Sequence, residues 1–425
     1  MKNGWQRKQL GELAELKGRI GWRGLTAKEY TKAGPLFLSV HSLNYGDYVD
    51  FRDAFHISED RYIESPEIIL QKDDVLICKD GAGIGKVGIV GELPDRTTIN
   101  SSLLLIRSGK NILPKFLYRC LSSPYFQQIV NSRLNGATTP HLYQRDITEF
   151  PVVLPPLPEQ QRIVGILDKA FEAIATAKAN AEKNLQNARA LFESHLQSVF
   201  THRGKAWERV TLQTLLDSDW IESHLDGNHG SDYPRKDEFI GEGIPYISAN
   251  CLDDERVDMN RAKYLSPSRA ALLRKGIAQN DDVLFAHNAT VGPVAILHTD
   301  EEKVILGTSL TYYRCNPRHI LPEYLAHYMR SFGFKSQYLQ VMRQSTRNQI
   351  PITKQREFFH VIPPLNEQKQ IIGALDGLLE KGQRLAALYE RKLAALEALK
   401  KSLLHQAFTG ALTSKPAKTI AEATA

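Results

Sequence analysis

The sequence predicts an α+β fold in which two pseudo-symmetric globular domains are separated by an antiparallel two-helix coiled coil. A fifteen-residue string occurs twice, as LPPLPEQQRIVGILD at 154–168 and as IPPLNEQKQIIGALD at 362–376. Nine of the fifteen positions are identical, at a constant offset of 208 residues (362 − 154). Each copy follows a long β-rich stretch and begins a long helical pattern. A period this long indicates a duplicated domain, because solenoid repeats are only about 20–50 residues long.

Short apolar runs separated by Gly, Pro, Asn and Asp predict the strands of both globular domains. The first domain has such runs at 36–40, 74–78, 87–90 and 103–106. The second domain has them at 283–286, 294–297 and 310–314. A helix is predicted at 114–130, with Pro114 at its first position, and its counterpart begins at Pro322. Both domains therefore read as mixed α+β.

Apolar residues recur at spacings of three and four after each Pro-Pro pair, and they predict two helices of about 40 residues. A helix of that length is about 60 Å long and must pair, and its natural partner is its own copy. Antiparallel pairing is favoured because the first helix leads directly into the second domain. The residues assigned to this pairing are Gly165, Ala170, Ile174, Ala177, Gly373, Leu378 and Leu385.

Glycine occupies equivalent positions near the start of each long helix, at Gly165 and Gly373. An interior glycine costs a helix about 1 kcal/mol relative to alanine. Its presence in both copies predicts a close approach of the two backbones, and the alternative is a pair of tolerated surface glycines.

The composition is that of an ordinary globular protein, with 42% hydrophobic and 24% charged residues in a chain of 425. No stretch approaches 18 consecutive apolar residues, and the amino-terminal segment lacks the apolar centre of a signal peptide. The four cysteines are isolated and show no zinc-site spacing. We expect a cytoplasmic, reduced, metal-free protein that does not associate with membranes. The net charge of +6 permits nucleic-acid binding without requiring it.

A glycine-rich segment, DGAGIGK at 80–86, invites comparison with a phosphate-binding loop. The spacing does not fit GxxxxGK[ST], and Val87 follows the lysine in place of serine or threonine. Two interpretations remain, a tight turn between strands and a turn whose exposed tip contacts DNA. The second is favoured by the different chemistry of the two copies, which carry Lys79 and Asp80 in one and His287 and Asn288 in the other.

We identify no nuclease, methyltransferase or nucleophile motif, so we expect no catalysis by this chain alone. Polar residues suited to base edges and phosphates do cluster near the turns and just before each long helix. A polar surface loop without a ligand is the alternative. The candidate DNA-binding residues of the first domain are Arg19, Arg23, His41, Lys79, Asp80, Lys86, Thr138, His141, Tyr143 and Arg145. Those of the second are Asn250, His287, Asn288, Thr290, Arg343, Thr346, Arg347, Asn348, Gln349 and Lys354.

The repeated PPLxEQxxI strings at 155–163 and 363–371, with QxDDVL at 71–76 and 279–284, resemble a known family. The chain is similar to the specificity (S) subunits of Type I restriction-modification enzymes. The resemblance implies that each globular domain is a target recognition domain that reads one half of a split site in double-stranded DNA. It also implies that the helices set the spacer between half-sites and dock two methyltransferase (M) subunits. Restriction/translocase (R) subunits would then join, and S-adenosylmethionine, ATP and Mg²⁺ would act on these partners, with no cofactor bound by this chain.

On this basis the chain divides into five parts: target recognition domain 1 at 1–153, a spacer helix at 154–202, target recognition domain 2 at 203–361, a second spacer helix at 362–412, and a flexible tail at 413–425. A different function remains open, that of a coiled-coil scaffold whose two heads bind protein partners. A self-contained enzyme is disfavoured by the missing motifs.

Overall fold

The computed structural model describes residues 4–19, 25–134, 141–201, 204–253, 256–344 and 348–414. The chain forms two compact units. Unit 1 comprises Met1–Glu182 with Arg391–Ala425, and unit 2 comprises Lys183–Glu390. Each of the two long helices therefore contributes one part to each unit.

The described residues of unit 1 form nine short strands and four short helices before the first long helix. Its strands are β1 (Gln6–Gln9), β2 (Ala14–Lys17), β3 (Thr31–Leu38), β4 (Phe55–His56), β5 (Val75–Cys78), β6 (Val87–Ile89), β7 (Thr97–Ile99), β8 (Leu103–Ser108) and β9 (Pro151–Leu154). Its helices are α1 (Glu59–Ile63), α2 (Pro114–Leu121), α3 (Pro124–Leu134), α4 (Gln144–Thr148) and the long α5 (Leu157–Thr201), which continues into unit 2.

Unit 2 repeats this plan with additional strands. Its strands are β10 (Glu208–Thr211), β11 (Ile221–Asp226), β12 (Phe239–Ile240), β13 (Ile244–Ile247), β14 (Leu252–Asp253), β15 (Arg256–Val257), β16 (Lys263–Leu265), β17 (Ile277–Ala278), β18 (Val283–Asn288), β19 (Thr290–Ile296), β20 (Val304–Leu306), β21 (Leu310–Cys315) and β22 (Phe359–Ile362). Its helices are α6 (Leu212–Asp217), α7 (Pro267–Ala271), α8 (Pro322–Arg330), α9 (Phe332–Arg343), α10 (Ile352–Gln355) and the long α11 (Leu365–Thr409), which continues into unit 1.

The central sheets of the two units have the same strand order. In unit 1 the order is β2-β8-β5-β6, and in unit 2 the sheet begins β11-β21-β18-β19. The register also repeats, because Val75 pairs with Ile106 in unit 1 and Val283 pairs with Tyr313 in unit 2. A second small sheet (β4-β3-β7) has its counterpart in β16-β13-β20. The duplication seen in the sequence is therefore a duplication of the fold.

The QxDDVL segments set the start of the central strand in each unit. The first aspartate, Asp73 or Asp281, has a left-handed backbone with φ of 70° or 66°. This conformation is one that aspartate tolerates better than most residues. The second, Asp74, accepts a hydrogen bond from the Gln71 amide at 2.7 Å and is paired with Arg107 at 2.7 Å. Asp282 does the same with the Gln279 amide and Arg314, each at 2.8 Å.

The helix predicted at 114–130 is in fact two helices, α2 and α3, which are separated at Ser122 and Ser123. Pro124 favours this break in unit 1, since its ring removes a backbone donor and disfavours a helical residue before it. The Ser123 hydroxyl accepts a hydrogen bond from the Phe126 amide at 3.3 Å and so caps the second helix. Unit 2 has the same break, between α8 and α9 at Ser331.

The glutamine of each PPLxEQ string fixes the start of a long helix to its globular domain. The Gln160 side chain is fully buried; it accepts a hydrogen bond from the Leu113 amide at 2.9 Å and donates to the Asn111 and Pro155 carbonyls at 2.9 Å. In unit 2, Gln368 accepts from the Leu321 amide and donates to two carbonyls at the same offsets, with lengths of 2.8–2.9 Å. The string repeats because both junctions need the same three hydrogen bonds.

The long helices pair antiparallel, as the contacts within unit 1 show. Lys178 of α5 forms an ion pair with Glu397 of α11 at 2.7 Å. Seven residues earlier on α5, the Phe171 ring lies 5.2 Å from the Lys400 ammonium, which is three residues later on α11. In unit 2, Arg189 and Glu390 form an ion pair at 2.7 Å. The predicted fold class, α+β with two similar globular domains and a two-helix coiled coil, is confirmed.

The prediction of close backbone approach at Gly165 and Gly373 is wrong. Both glycines are exposed, and a Cβ added to either would have no heavy atom within 4 Å apart from its chain neighbours and the backbone of its own helix. The close approach occurs instead at Gly382, where an added Cβ would lie 3.3 Å from the Ala188 carbonyl oxygen. The pairing position of a glycine depends on which face of the helix it occupies, and the repeated string does not specify that face.

The other residues assigned to helix pairing have mixed outcomes. Ile174 is buried in the core of unit 1, and Ala170 packs against that core. Ala177 and Leu378 are half-buried, whereas Leu385 is 39% exposed. Thr413, assigned to a flexible tail, is 6% exposed and donates to Glu159 at 2.5 Å.

Candidate nucleic-acid interface

The glycine-rich segment of unit 1 is the turn that joins β5 to β6, and its end is here called tip 1 (residues 79–86). Gly81 and Gly85 have positive φ of 81° and 83°, which explains why glycine occurs there. The Cys78 amide donates to the Lys86 carbonyl at 2.8 Å and closes the turn. The backbone therefore forms a tight turn, as one of the two interpretations expected, and its polar side chains reach the surface: Lys86 is exposed and Lys79 and Asp80 are half-buried.

A second segment, just before α4, lies against tip 1. Asp80 and His141 form an isolated antiparallel bridge, and the Leu142 amide donates to the Lys79 carbonyl at 2.9 Å. The His141 ring nitrogen Nδ1 is also hydrogen-bonded to the Asp80 carboxylate. The Tyr143 ring lies 4.6 Å from the His141 ring, and the Arg145 guanidinium is 5.3 Å from the same tyrosine ring. The fold thus brings together five residues that were selected from sequence.

Unit 2 repeats this arrangement at tip 2 (residues 287–290). Asn288 and Gln349 form an isolated antiparallel bridge, and the Ile350 amide donates to the His287 carbonyl at 2.8 Å. The Ala289 amide adds a hydrogen bond to the Asn348 carbonyl at 3.0 Å. Thr290, at the start of β19, is exposed and pairs with Asn288.

Two further candidates lie beside the tips. A Cβ on Gly83 would approach within 2.5 Å of Val40, which places the neighbouring exposed His41 next to tip 1. In unit 2, the Ser309 hydroxyl accepts from the Ala249 amide at 2.9 Å, and the Ser309 carbonyl accepts from the His287 amide at 2.9 Å. Asn250, which is exposed, therefore lies beside tip 2.

The remaining candidates either lie outside these two clusters or already have a hydrogen-bond or ion-pair partner within the protein. The Arg19 side chain is only 4% exposed and lies 3.6 Å from Glu64. Lys86 donates to Asn44 at 2.6 Å, and Lys354 is paired with Glu357 at 2.9 Å. Arg343 is exposed at the end of α9. Arg23, Thr138, Thr346 and Arg347 lie outside the described residues.

His287 differs from the other candidates because its side chain is buried, with 1% exposure. Its Nδ1 is 2.9 Å from the Ile350 carbonyl, which can only accept, so this nitrogen carries the proton. Burial lowers the pKa of His287 below its ordinary value and keeps the ring neutral. The ring does not face solvent, and the prediction that it touches DNA is therefore not supported by its position.

Sequence reasoning missed a buried polar network beneath tip 2. The Gln355 side chain is fully buried. Its Oε1 atom accepts hydrogen bonds from the Thr311 hydroxyl at 2.9 Å and from the Tyr313 hydroxyl at 3.1 Å. The same oxygen lies 3.1 Å from His224 Nε2. Its Nε2 donates to the Ile350 carbonyl at 3.2 Å. A comparison of the two copies at the 208-residue offset could have revealed it. Gln355 corresponds to the apolar Ile147 of unit 1, so the two units differ in polarity at this position.

Comparisons with known proteins identify the family. The model described as "Type I restriction modification DNA specificity domain" matches residues 2–186 and 225–390. The chain therefore belongs to the Type I restriction-modification DNA specificity family, and the predicted family is confirmed. The two matched stretches correspond to the two copies of the repeat.

Individual relatives agree with this assignment. The EcoBI specificity subunit of Escherichia coli is 22% identical over 318 residues, which cover 71% of this chain and 66% of that subunit. The EcoKI specificity subunit of Escherichia coli strain K12 is 20% identical and covers 98% of this chain and 90% of that subunit. A structure titled for complex assembly and conformational transition of the type I R-M system matches with a TM-score of 0.77 at 20% identity, and covers 97% and 99% of the two chains. At this identity the last comparison supports the fold alone.

No helix among the described residues is long and apolar enough to cross a bilayer. No cluster of three or more His, Cys, Asp or Glu side chains in the described part of the chain is arranged to hold a metal ion.

Proposed function

We propose that this chain is the DNA-reading subunit of a Type I restriction-modification complex, in which each unit recognises one half of a bipartite duplex target. The observation that carries the proposal is the pair of equivalent bridges, Asp80 with His141 and Asn288 with Gln349. The backbone arrangement is the same in both units while the side chains differ. Two similar scaffolds that present different hydrogen-bonding groups are suited to two different half-sites.

The side chains of each tip and of the segment bridged to it are suited to hydrogen bonds with the edges of DNA bases. Asn288 and Gln349 carry side-chain amides, which can pair bidentately with adenine, and an aspartate such as Asp80 can accept from the cytosine amino group. Positive side chains that can bind phosphate oxygens lie in tip 1, at Lys79 and Lys86, and beside it, at Arg145. Arg343 and Lys354 are exposed in unit 2 and suit the same role.

We further propose that α5 and α11 set the spacer between the half-sites and dock two methyltransferase subunits, which restriction/translocase subunits then join. S-adenosylmethionine, ATP and Mg²⁺ would act on those partners, and this chain would catalyse nothing alone. The expected cytoplasmic location remains a prediction that accords with this role. The repeated PPLxEQ junction supports a shared docking scaffold, because the same buried glutamine anchors both helices.

The spacer role is tested by shortening both helices together. Removal of seven residues from each of α5 and α11 takes out two turns, or about 10.5 Å. At about 3.4 Å per base pair the methylated motif should lose about 3 bp of spacer and keep both half-sites. An unchanged spacer in the methylated motif would refute this role.

The alternative function, a scaffold whose heads bind protein, is distinguished by salt dependence. The assembled complex of this chain with its methyltransferase should bind duplex DNA with an affinity that falls steeply with salt, because phosphate contacts release counterions. Salt-insensitive or absent binding to duplexes would favour the protein-binding scaffold.

A further inference from the structure

The buried network beneath tip 2 ends on one backbone group. The Ile350 carbonyl accepts hydrogen bonds from His287 Nδ1 at 2.9 Å and from Gln355 Nε2 at 3.2 Å. The amide of the same residue donates to the His287 carbonyl at 2.8 Å. Ile350 is therefore held on both sides, and it directly follows Asn348 and Gln349.

The network is satisfied around the Gln355 amide. Oε1 faces the Thr311 hydroxyl, the Tyr313 hydroxyl and His224 Nε2, all within 3.1 Å. Since this oxygen only accepts, His224 carries its proton on Nε2. Thr311, Tyr313, His224 and Gln355 are all at most 2% exposed, so the hydrogen bonds form away from water and restrict the amide to one orientation.

The same positions in unit 1 are apolar. Gln355 corresponds to Ile147 at the 208-residue offset, and the strand pairing aligns Thr311 and Tyr313 with Leu104 and Ile106. These three unit 1 residues are fully buried in its hydrophobic core. The fold is therefore compatible with an apolar core here, and replacing a set of hydrogen-bonded partners by apolar groups of the same shape can be nearly neutral or stabilising. Packing alone does not explain why unit 2 has one.

We propose that Gln355 and His287 are positioning residues that hold the Asn348–Gln349 segment in the conformation that reads the second half-site. The inference rests on the proposed function of tip 2. Both side chains act through the Ile350 carbonyl and touch no DNA. Unit 1 lacks this side-chain clamp at the corresponding positions, which carry Ile147 and Lys79.

The test uses the complex of the full chain with its methyltransferase subunit. Probes are a duplex carrying the target mapped from methylated genomic DNA and duplexes with single-base changes in either half-site. His287→Phe keeps an aromatic ring and removes the donor, and Gln355→Leu removes the amide. We expect each variant to lose about tenfold or more of its discrimination at the second half-site, with discrimination at the first half-site and binding to random duplex unchanged.

Gln337→Leu is the matched control for Gln355→Leu. The Gln337 amide also bonds to backbone in unit 2, with the Phe359 amide at 2.7 Å and the Phe359 carbonyl at 3.0 Å, but it does not contact tip 2. A general loss of stability would affect both glutamine variants alike and lower binding to every duplex. Hydrogen exchange at the Ile350 amide should accelerate in His287→Phe and Gln355→Leu and not in Gln337→Leu.

The outcomes separate the inference from the proposed function. If the wild-type complex does not discriminate at the second half-site, the proposed function fails. If the wild-type complex discriminates and both clamp variants retain full discrimination, the positioning role is overturned. If Gln355→Leu does not fold, His287→Phe alone decides.

Discussion

Asp80 and His141 form a single antiparallel bridge at the end of the central sheet, and 208 residues later Asn288 and Gln349 form the same bridge. The backbone hydrogen bonds that accompany the bridges also repeat, from Leu142 to Lys79 and from Ile350 to His287. The residues in these positions share a place in the fold and differ in chemistry, so they are the first positions to test for target specificity.

Replacing Asn288 and Gln349 together by alanine should alter recognition of one half-site only. Each bidentate pairing with a base contributes about 1–3 kcal/mol of discrimination, so we expect a loss of about tenfold or more if one pairing is removed and about thirtyfold or more if both are. Competition binding of the methyltransferase complex to single-base variants of its target measures this. Asp80→Asn with His141→Ala is the matched change in unit 1, and it should affect the other half-site. A uniform loss across both half-sites in either variant would contradict the assignment.

Unit 2 should lose stability in mild acid because of buried histidines, which include His287, described above, and two others. Burial lowers the pKa of His224 to about 3 and that of His360 to about 4, below the ordinary 6.5. The unfolded chain therefore binds more protons than the folded chain below about pH 6.5. The stability contributed by the neutral histidines is fully present above about pH 6.5, and it is lost as the pH falls towards about 4 for His360 and about 3 for His224. At about pH 5 each histidine should cost unit 2 about 2 kcal/mol.

Hydrogen exchange at about pH 7.5 and about pH 5, corrected for intrinsic rates, measures this loss for unit 2. His360→Val introduces the residue found at the corresponding position of unit 1, Val152, and should remove the contribution of His360, about 2 kcal/mol at about pH 5. Equal pH dependence in wild type and His360→Val would refute the explanation.

The glutamine at each helix junction should be required for stability. Gln160→Leu leaves the Leu113 amide and the carbonyls of Asn111 and Pro155 without their hydrogen-bond partner. An unsatisfied buried group costs about 1–3 kcal/mol, and water can reach the exposed Asn111, so the other two groups should cost about 2–6 kcal/mol in the free energy of unfolding. Urea denaturation checks this, with the exposed neighbour Gln161→Leu as control. Equal effects from the two substitutions would show that the junction does not depend on this amide.

Two glycines of α11 should respond differently to alanine. Gly373→Ala fills open space on an exposed helix face and should stabilise the protein by about 1 kcal/mol. Gly382→Ala should gain less or destabilise, because its Cβ would lie 3.3 Å from the Ala188 carbonyl oxygen. Helix content followed through urea denaturation compares the two variants, and a larger gain at Gly382 would contradict the packing described for this seam.

The sequence predicted most of the fold because its strongest signals are local or periodic. The repeated PPLxEQ string and the long apolar stripe each indicate backbone geometry, and the structure has that geometry in both units. The pairing of Asp80 with His141 could not be predicted, because it joins residues far apart in sequence through the register of a loop. Gly165 and His287 were misjudged because whether a side chain is buried depends on neighbours that sequence spacing does not give.

The most direct test of the account is to map methylated bases in genomic DNA from cells that carry this chain and its methyltransferase partner, for wild type and for the Asn288→Ala, Gln349→Ala variant. We predict one bipartite motif with two unlike half-sites and a fixed spacer, and a change confined to one half-site in the variant. A motif with two identical halves, or an identical motif in wild type and variant, would contradict the claim that the two units read different sequences through their tips.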